Sequence, residues 1–118
     1  MLYWNGEQDG DSKVDIEQIK SACNGNTIIL TDHVISRMKK RNVKYHDMVA
    51  SIQNGAIIEQ YDDDKPFPSC LILGSTRDNS KPLHTVLSYN DGIIWIITTY
   101  FPSSDKWEAD YKTRKAAT

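Results

Sequence analysis

The chain has 118 residues, of which 39% are hydrophobic and 25% are charged, and its formal net charge at pH 7 is −2. This length predicts a single domain with one modest core, and the weak negative charge argues against a protein that coats nucleic acid non-specifically. The apolar runs are far shorter than the roughly 20 residues that cross a bilayer, so no membrane association is expected.

The first half of the chain predicts two or three helices. Residues 1–12 form a lead-in with two glycines among polar residues, and apolar residues recur with helical spacing over 13–24, with Asp11 or Ser12 as the cap. Residues 27–30 form either a very short strand or an extended apolar lead into the next helix. That second helix begins after a cap at Thr31 or Asp32 and runs to Arg41, and a third helix spans about 44–54.

The second half changes to a period of two and predicts four strands. They are expected over residues 56–61, 69–76, 83–89 and 93–100, with hairpin turns at 77–81 and 90–92. We therefore predict an α+β domain over residues 13–111, with two to three helices packed on one face of a four-stranded antiparallel meander. Residues 112–118 are assigned to a C-terminal tail, and Trp107 is expected to dock the charged segment 107–115, which has some helical character.

The predicted second helix carries a basic face. His33, Arg37, Lys40 and Arg41 follow at positions i, i+4, i+7 and i+8, whereas Val34, Ile35 and Met38 point to the opposite side, where they can be buried. Guanidinium groups bind phosphate oxygens in pairs and keep their charge. The alternatives are a solvated helix face or salt bridges to the acidic stretch at residues 62–64.

The predicted third strand contains His84, a polar residue in the middle of an apolar run. If Asp91 and Gly92 form a two-residue turn, Ser88 pairs with Trp95 and His84 pairs with Thr99. His84 is then either an acid or base in a shallow cleft or a hydrogen-bonded interior histidine. Tyr100, at the end of the last strand, either donates a proton or stacks on a base, or it only closes the sheet.

Other classes of site have little support. The three histidines have no HxH, HxxxH or HExxH spacing, so no metal site is expected, and there is no glycine-rich phosphate loop, so no cofactor is expected. The two cysteines, Cys23 and Cys70, are far apart and suit small core positions in a reducing compartment. The start of the chain does not resemble a secretion signal, so a cytoplasmic location is expected.

Four segments together resemble a known family. They are the residues TDHVISRMKKRNV (31–43), IQNGAIIEQY (52–61), KPFPSCLILG (65–74) and PLHTV (82–86), and they resemble uncharacterised domain family 4258 over roughly residues 27–111. The resemblance implies a small bacterial protein with a fold like that of RelE-type and colicin-like ribonuclease toxins. It also implies a metal-independent ribonuclease site, with His33, Arg37, Arg41 and His84 as the matching polar positions.

These observations predict a toxin-like, metal-independent endoribonuclease domain. His84 or His33 assists removal of the ribose 2′-OH proton, the other histidine or Tyr100 protonates the leaving 5′-oxygen, and Arg37, Lys40 and Arg41 bind the phosphate. The expected partners are RNA and a cognate neutralising protein. The alternative is a non-catalytic module that binds RNA or protein.

Overall fold

The computed structural model describes residues 14–23 and 27–116, and it confirms the predicted α+β class. In chain order the elements are α1 (Ile16–Ala22), β1 (Ile28–Ile29), α2 (Asp32–Arg41), α3 (Tyr45–Asn54), β2 (Ala56–Tyr61), β3 (Ser69–Ser75), β4 (Pro82–Asn90) and β5 (Ile93–Tyr100). Among the described residues, no helix has the length and apolar character needed to cross a membrane.

In two of the three described helices a side chain caps the first turn. Thr31 caps α2, and its hydroxyl accepts a hydrogen bond from the backbone N–H of Val34 at 3.2 Å. Asn42 ends α2 in the left-handed conformation with a φ of 59°. Helix α1 is capped by Asp15, whereas the predicted caps Asp11 and Ser12 and the lead-in lie outside the described residues.

The sheet is five-stranded and mixed, which corrects the prediction of four antiparallel strands. Its order is β1-β5-β4-β3-β2, so the predicted meander is present and one further strand lies beside its last member. Strand β1 runs parallel to β5 and pairs Ile28 with Ile94 and Ile29 with Trp95. Two residues are too few to show an alternating pattern. The sequence therefore did not distinguish a very short strand from an extended lead into the next helix.

The core lies between the helices and one face of the sheet. Its fully buried members include Ile19, Met48 and Ile52 from the helices and Ile72, Leu83, Leu87 and Ile94 from the strands. Helix α3 approaches β3 so closely that a Cβ at Gly74 would lie 1.9 Å from the backbone oxygen of Ser51. The predicted burial of Ile35 is wrong, since its side chain is 38% exposed.

The opposite face of the sheet is partly covered by residues 103–116, here called the C-terminal segment. Because side chains alternate along a strand and Leu83 and Leu87 face the helices, His84 faces the other way, where it contacts Trp107. The segment forms turns and an isolated antiparallel bridge between Trp107 and Arg114, not the helix suggested by its sequence. Trp107 is 3% exposed and docks the segment, as predicted.

Candidate functional site

A β-bulge in β5 determines which side chains meet on the outer face. Asn90 pairs with Ile93 and Ser88 with Trp95, as predicted, but the register shifts by one residue between Val86 and Leu87. His84 therefore pairs with Tyr100, and the predicted pairing of His84 with Thr99 is wrong. The extra residue re-aims every side chain after it, so Thr99 is buried against Thr85 and Tyr100 lies beside His84.

His84 is fully buried, and both of its ring nitrogens have hydrogen-bond partners. Nε2 lies 2.7 Å from the backbone oxygen of Tyr111, and Nδ1 lies 3.2 Å from the hydroxyl of Tyr100. A carbonyl can only accept, so Nε2 donates to Tyr111, and a neutral ring then accepts the Tyr100 hydroxyl hydrogen at Nδ1. Burial lowers the pKa of His84, which favours this neutral form, although the Tyr111 carbonyl opposes the shift.

Aromatic side chains enclose this histidine. The Trp107 ring packs on the His84 ring at a centroid distance of 4.5 Å and an angle of 87°, and the Tyr100 ring packs on it at 5.2 Å and 69°. Burial also raises the pKa of Tyr100, so its hydroxyl stays protonated at neutral pH. The partner of Nδ1 of His84 is thus a protonated phenol.

Arg41 connects α2 to the outer face of the sheet. Its Nη1 donates to the hydroxyl of Thr98 at 2.9 Å and to the backbone oxygen of Thr99 at 3.1 Å, and its guanidinium carbon lies 6.0 Å from the centre of the Tyr100 ring. Within residues 14–23 and 27–116, no carboxylate lies within 4.0 Å of Arg41. The guanidinium thus keeps donors for a ligand and does not form the salt bridge to residues 62–64 that the sequence left open.

Arg41 lines two clefts. The first, here called the central cleft, has a volume of about 400 Å³. It is lined by Arg41, Tyr100, Phe101, Ser103, Lys106, Trp107 and Arg114. It combines three cationic side chains with three aromatic rings, a composition suited to phosphate and base together.

The second, here called the helix cleft, has a volume of about 200 Å³ and is lined by His33, Arg37, Arg41 and residues of β5 that include Thr98. The structure thus brings His33, Arg37 and Arg41 to one cleft, whereas Lys40 is exposed and lines neither of the two. His84 lines neither cleft and stands behind Tyr100.

Arg114 is a site residue that the sequence analysis missed. Its Nε and Nη2 donate to the two carboxylate oxygens of Glu59 at 2.8 and 3.0 Å, and its guanidinium lies 4.6 Å from the Trp107 ring. The hydrogen bond from Arg114 lowers the pKa of Glu59, and the hydroxyl of Tyr61 donates to the same carboxylate. The docking role predicted for Trp107 was the one signal that pointed to this part of the cleft.

The described residues hold no group of three or more histidine, cysteine, aspartate or glutamate side chains placed for a metal ion. Cys23 and Cys70 are both buried, as expected for core positions. Burial raises the pKa of Cys70 to about 12, so its thiol stays protonated and is a poor nucleophile.

Residues 30–101 match a family model described as a domain of unknown function, DUF4258. The match spans more than half of the chain and contains His33, Arg37, Arg41, His84 and Tyr100. The residues that close the central cleft, Lys106, Trp107 and Arg114, follow the matched range. No curated protein and no solved structure matches the chain.

Proposed function

The chain belongs to the DUF4258 family, and from its own geometry we propose that it is a toxin-like endoribonuclease domain that cleaves RNA without a metal ion. The observation that carries the proposal is the Tyr100 hydroxyl. It is hydrogen-bonded to a neutral, buried His84, and Tyr100 lines the same cleft as Arg41, whose guanidinium carbon lies 6.0 Å from the centre of the Tyr100 ring. This arrangement offers a proton acceptor and an anion-binding group side by side.

Arg41 binds the scissile phosphate, since it is shared by both clefts. The ribose lies on the Tyr100 side, and the leaving 5′-oxygen lies on the His33 side. As the 2′-OH gives its proton to Tyr100, the Tyr100 proton moves to Nδ1 of His84. The 2′-oxygen bonds to phosphorus, the bond from phosphorus to the 5′-oxygen breaks, and a ring N–H of His33 supplies the proton to that oxygen. The products are a 2′,3′-cyclic phosphate and a 5′-hydroxyl.

Electrostatic stabilisation comes from the two arginines of the helix cleft. Charge on the non-bridging phosphate oxygens grows as the 2′-oxygen attacks, and guanidinium groups aimed at those oxygens stabilise the transition state more than the ground state. The Nη1 hydrogen bonds to Thr98 and Thr99 hold Arg41 in place before substrate binds. Little reorganisation is then needed during the reaction.

The test is cleavage of purified total RNA in EDTA by the wild type and by His33→Ala, Tyr100→Phe and Arg41→Lys. Each group that transfers a proton contributes about 10²- to 10⁴-fold, so His33→Ala and Tyr100→Phe should each lose at least 10²-fold in rate. Lys39→Ala is the matched control, because Lys39 is exposed on α2 and lines neither cleft. Undiminished cleavage by both His33→Ala and Tyr100→Phe, or loss of all cleavage in EDTA, contradicts the mechanism.

The toxin-like part of the proposal includes a RelE-like relationship in fold, action in the bacterial cytoplasm and a cognate neutralising protein. Its support is the basic α2 packed beside a four-stranded meander. Expression of the wild type should slow bacterial growth, and Arg37→Ala should relieve the effect. Equal growth inhibition by wild type and Arg37→Ala would remove the toxin-like assignment.

A non-catalytic module that binds RNA or protein is the second candidate. The enclosure of His84 favours it, because both ring nitrogens are occupied and the lowered pKa weakens the imidazole as a base. Such a module would retain RNA uncleaved, with an affinity that falls as salt rises. A protein-binding role alone predicts no RNA binding at any salt concentration.

A further inference from the structure

We infer that the RNA strand continues from the central cleft into a second phosphate-binding cleft formed by Lys44, Arg77 and Lys81. This inference rests on the proposed function, because it identifies where the next nucleotides of the same substrate bind. The observation that carries it is the position of Phe101, which lines both clefts. The second cleft, here called the lysine cleft, has a volume of about 650 Å³.

The cationic side chains of the lysine cleft are available to a ligand. Lys44, Arg77 and Lys81 are all exposed, and among the described residues none of the three has a carboxylate within 4.0 Å. The Lys81 ammonium lies 5.4 Å from the centre of the Phe101 ring. A cation–π contact of this kind holds the ammonium next to the boundary between the two clefts.

Two carboxylates also line the lysine cleft, and both have hydrogen-bond partners within the protein. Asp47 accepts the backbone N–H of Arg77 at 3.0 Å. Asp78 accepts the Thr76 hydroxyl at 2.7 Å and both the backbone N–H and the hydroxyl of Ser80 at 3.0 and 2.6 Å. These hydrogen bonds stabilise the loop that carries Arg77 and Lys81, so the two carboxylates have a structural role in the cleft.

Shared side chains link the three clefts into one proposed path. Arg41 lines both the helix cleft and the central cleft, and Phe101 lines both the central cleft and the lysine cleft. A path of cations broken by aromatic rings suits a flexible single strand, whose phosphates repeat along its length and whose bases are free to stack. A mononucleotide or a small anion would need only one of these clefts, so the path favours an oligonucleotide.

The test is fluorescence anisotropy with labelled oligonucleotides that carry 2′-deoxyribose and so are not cleaved by 2′-OH attack. A hexanucleotide should bind the wild type more tightly than a dinucleotide does. Lys81→Ala and Arg77→Ala should weaken hexanucleotide binding and leave dinucleotide binding unchanged. Each should also reduce the slope of log affinity against log salt by about 0.7, the value for one lost phosphate contact on a single strand.

Lys39→Ala is the matched control for the loss of one positive charge and should bind both oligonucleotides as the wild type does. Equal hexanucleotide affinity for the wild type, Lys81→Ala and Arg77→Ala overturns the lysine cleft while leaving the proposed reaction intact. Equal losses for dinucleotide and hexanucleotide also overturn it, because the cations would then act on the central cleft. Failure of the wild type to bind either oligonucleotide overturns both the inference and the proposed function.

Discussion

The sharpest structural prediction concerns His84→Leu, which removes the link between the sheet and the C-terminal segment. Leucine has a similar bulk but no nitrogen, so the Tyr111 carbonyl and the Tyr100 hydroxyl lose their partner. Each of the two hydrogen bonds contributes about 1 kcal/mol. The two perpendicular ring contacts, with Trp107 and Tyr100, add about 0.5–1.5 kcal/mol each.

Together these interactions predict a loss of about 3–5 kcal/mol in the free energy of unfolding, a large part of the 5–15 kcal/mol typical of a domain. The assay is urea denaturation followed by circular dichroism, with Tyr100→Phe as the matched variant that removes one hydrogen bond and costs about 1 kcal/mol. Limited trypsin digestion gives a second measure, because the segment contains Lys106, Lys112 and Arg114. The reasoning is refuted if His84→Leu is as stable as the wild type and its C-terminal segment is cut no faster.

Other contacts in the domain predict one effect of pH and the effects of two substitutions. Because burial lowers the pKa of His84 below the ordinary value of 6.5, its contribution to stability is fully present above pH 6.5 and is lost as the pH falls through the lower folded value. Thermal unfolding of the wild type at a series of pH values should show this loss. A similar loss in His84→Leu would assign the pH dependence to another group. Gly74→Ala should destabilise the domain by more than 3 kcal/mol or prevent soluble expression, since the new Cβ would overlap the backbone of Ser51. Normal expression with an unchanged melting temperature would contradict the close packing of α3 on β3. Thr31→Ala should lower the free energy of unfolding in urea by about 1 kcal/mol, because the backbone N–H of Val34 loses its hydrogen bond to the Thr31 hydroxyl, whereas Thr31→Ser should lower it little. Equal effects of the two substitutions would show that the hydroxyl does not act as the cap.

The sequence predicted those elements whose signals are local. Helix α2 has a capping threonine, an apolar side and a stop at Asn42, and α3 ends before Gly55, so both helices lie within one or two residues of their predicted ranges. The meander followed in the same way from alternating residues and a turn at Asp91 and Gly92. These features depend on near neighbours along the chain, which a single sequence contains.

Features that depend on distant contacts were left open or predicted wrongly. The two-residue strand β1 exists only because β5 offers an edge to pair with. The bulge at Ile97 is compatible with many sequences, yet it decides that Tyr100 rather than Thr99 meets His84. Ile35 was expected to be buried with Val34, but the next position on a helix is rotated by about 100° and here reaches solvent.

The candidate site also combines features that depend on near neighbours along the chain with features that depend on distant contacts. The spacing of His33, Arg37 and Arg41 on one helix was enough to predict that they share a face. Nothing in the order of residues indicated that Arg114 would return to pair with Glu59, because the two are separated by 55 positions. The ion pair and the enclosure of His84 by Trp107 arise from the path of the C-terminal segment over the sheet.

In the proposed reaction, a 2′-OH attacks phosphorus beside Arg41 and Tyr100. The most direct measurement uses an end-labelled RNA oligonucleotide with one preferred cleavage position, and a second copy with 2′-deoxyribose at that position only, both incubated in EDTA. The first should be cleaved to a 2′,3′-cyclic phosphate and a 5′-hydroxyl, and the second should not be cleaved at the deoxy position despite equal binding. Cleavage at the deoxy position, or products that carry a 5′-phosphate, would contradict the proposed reaction.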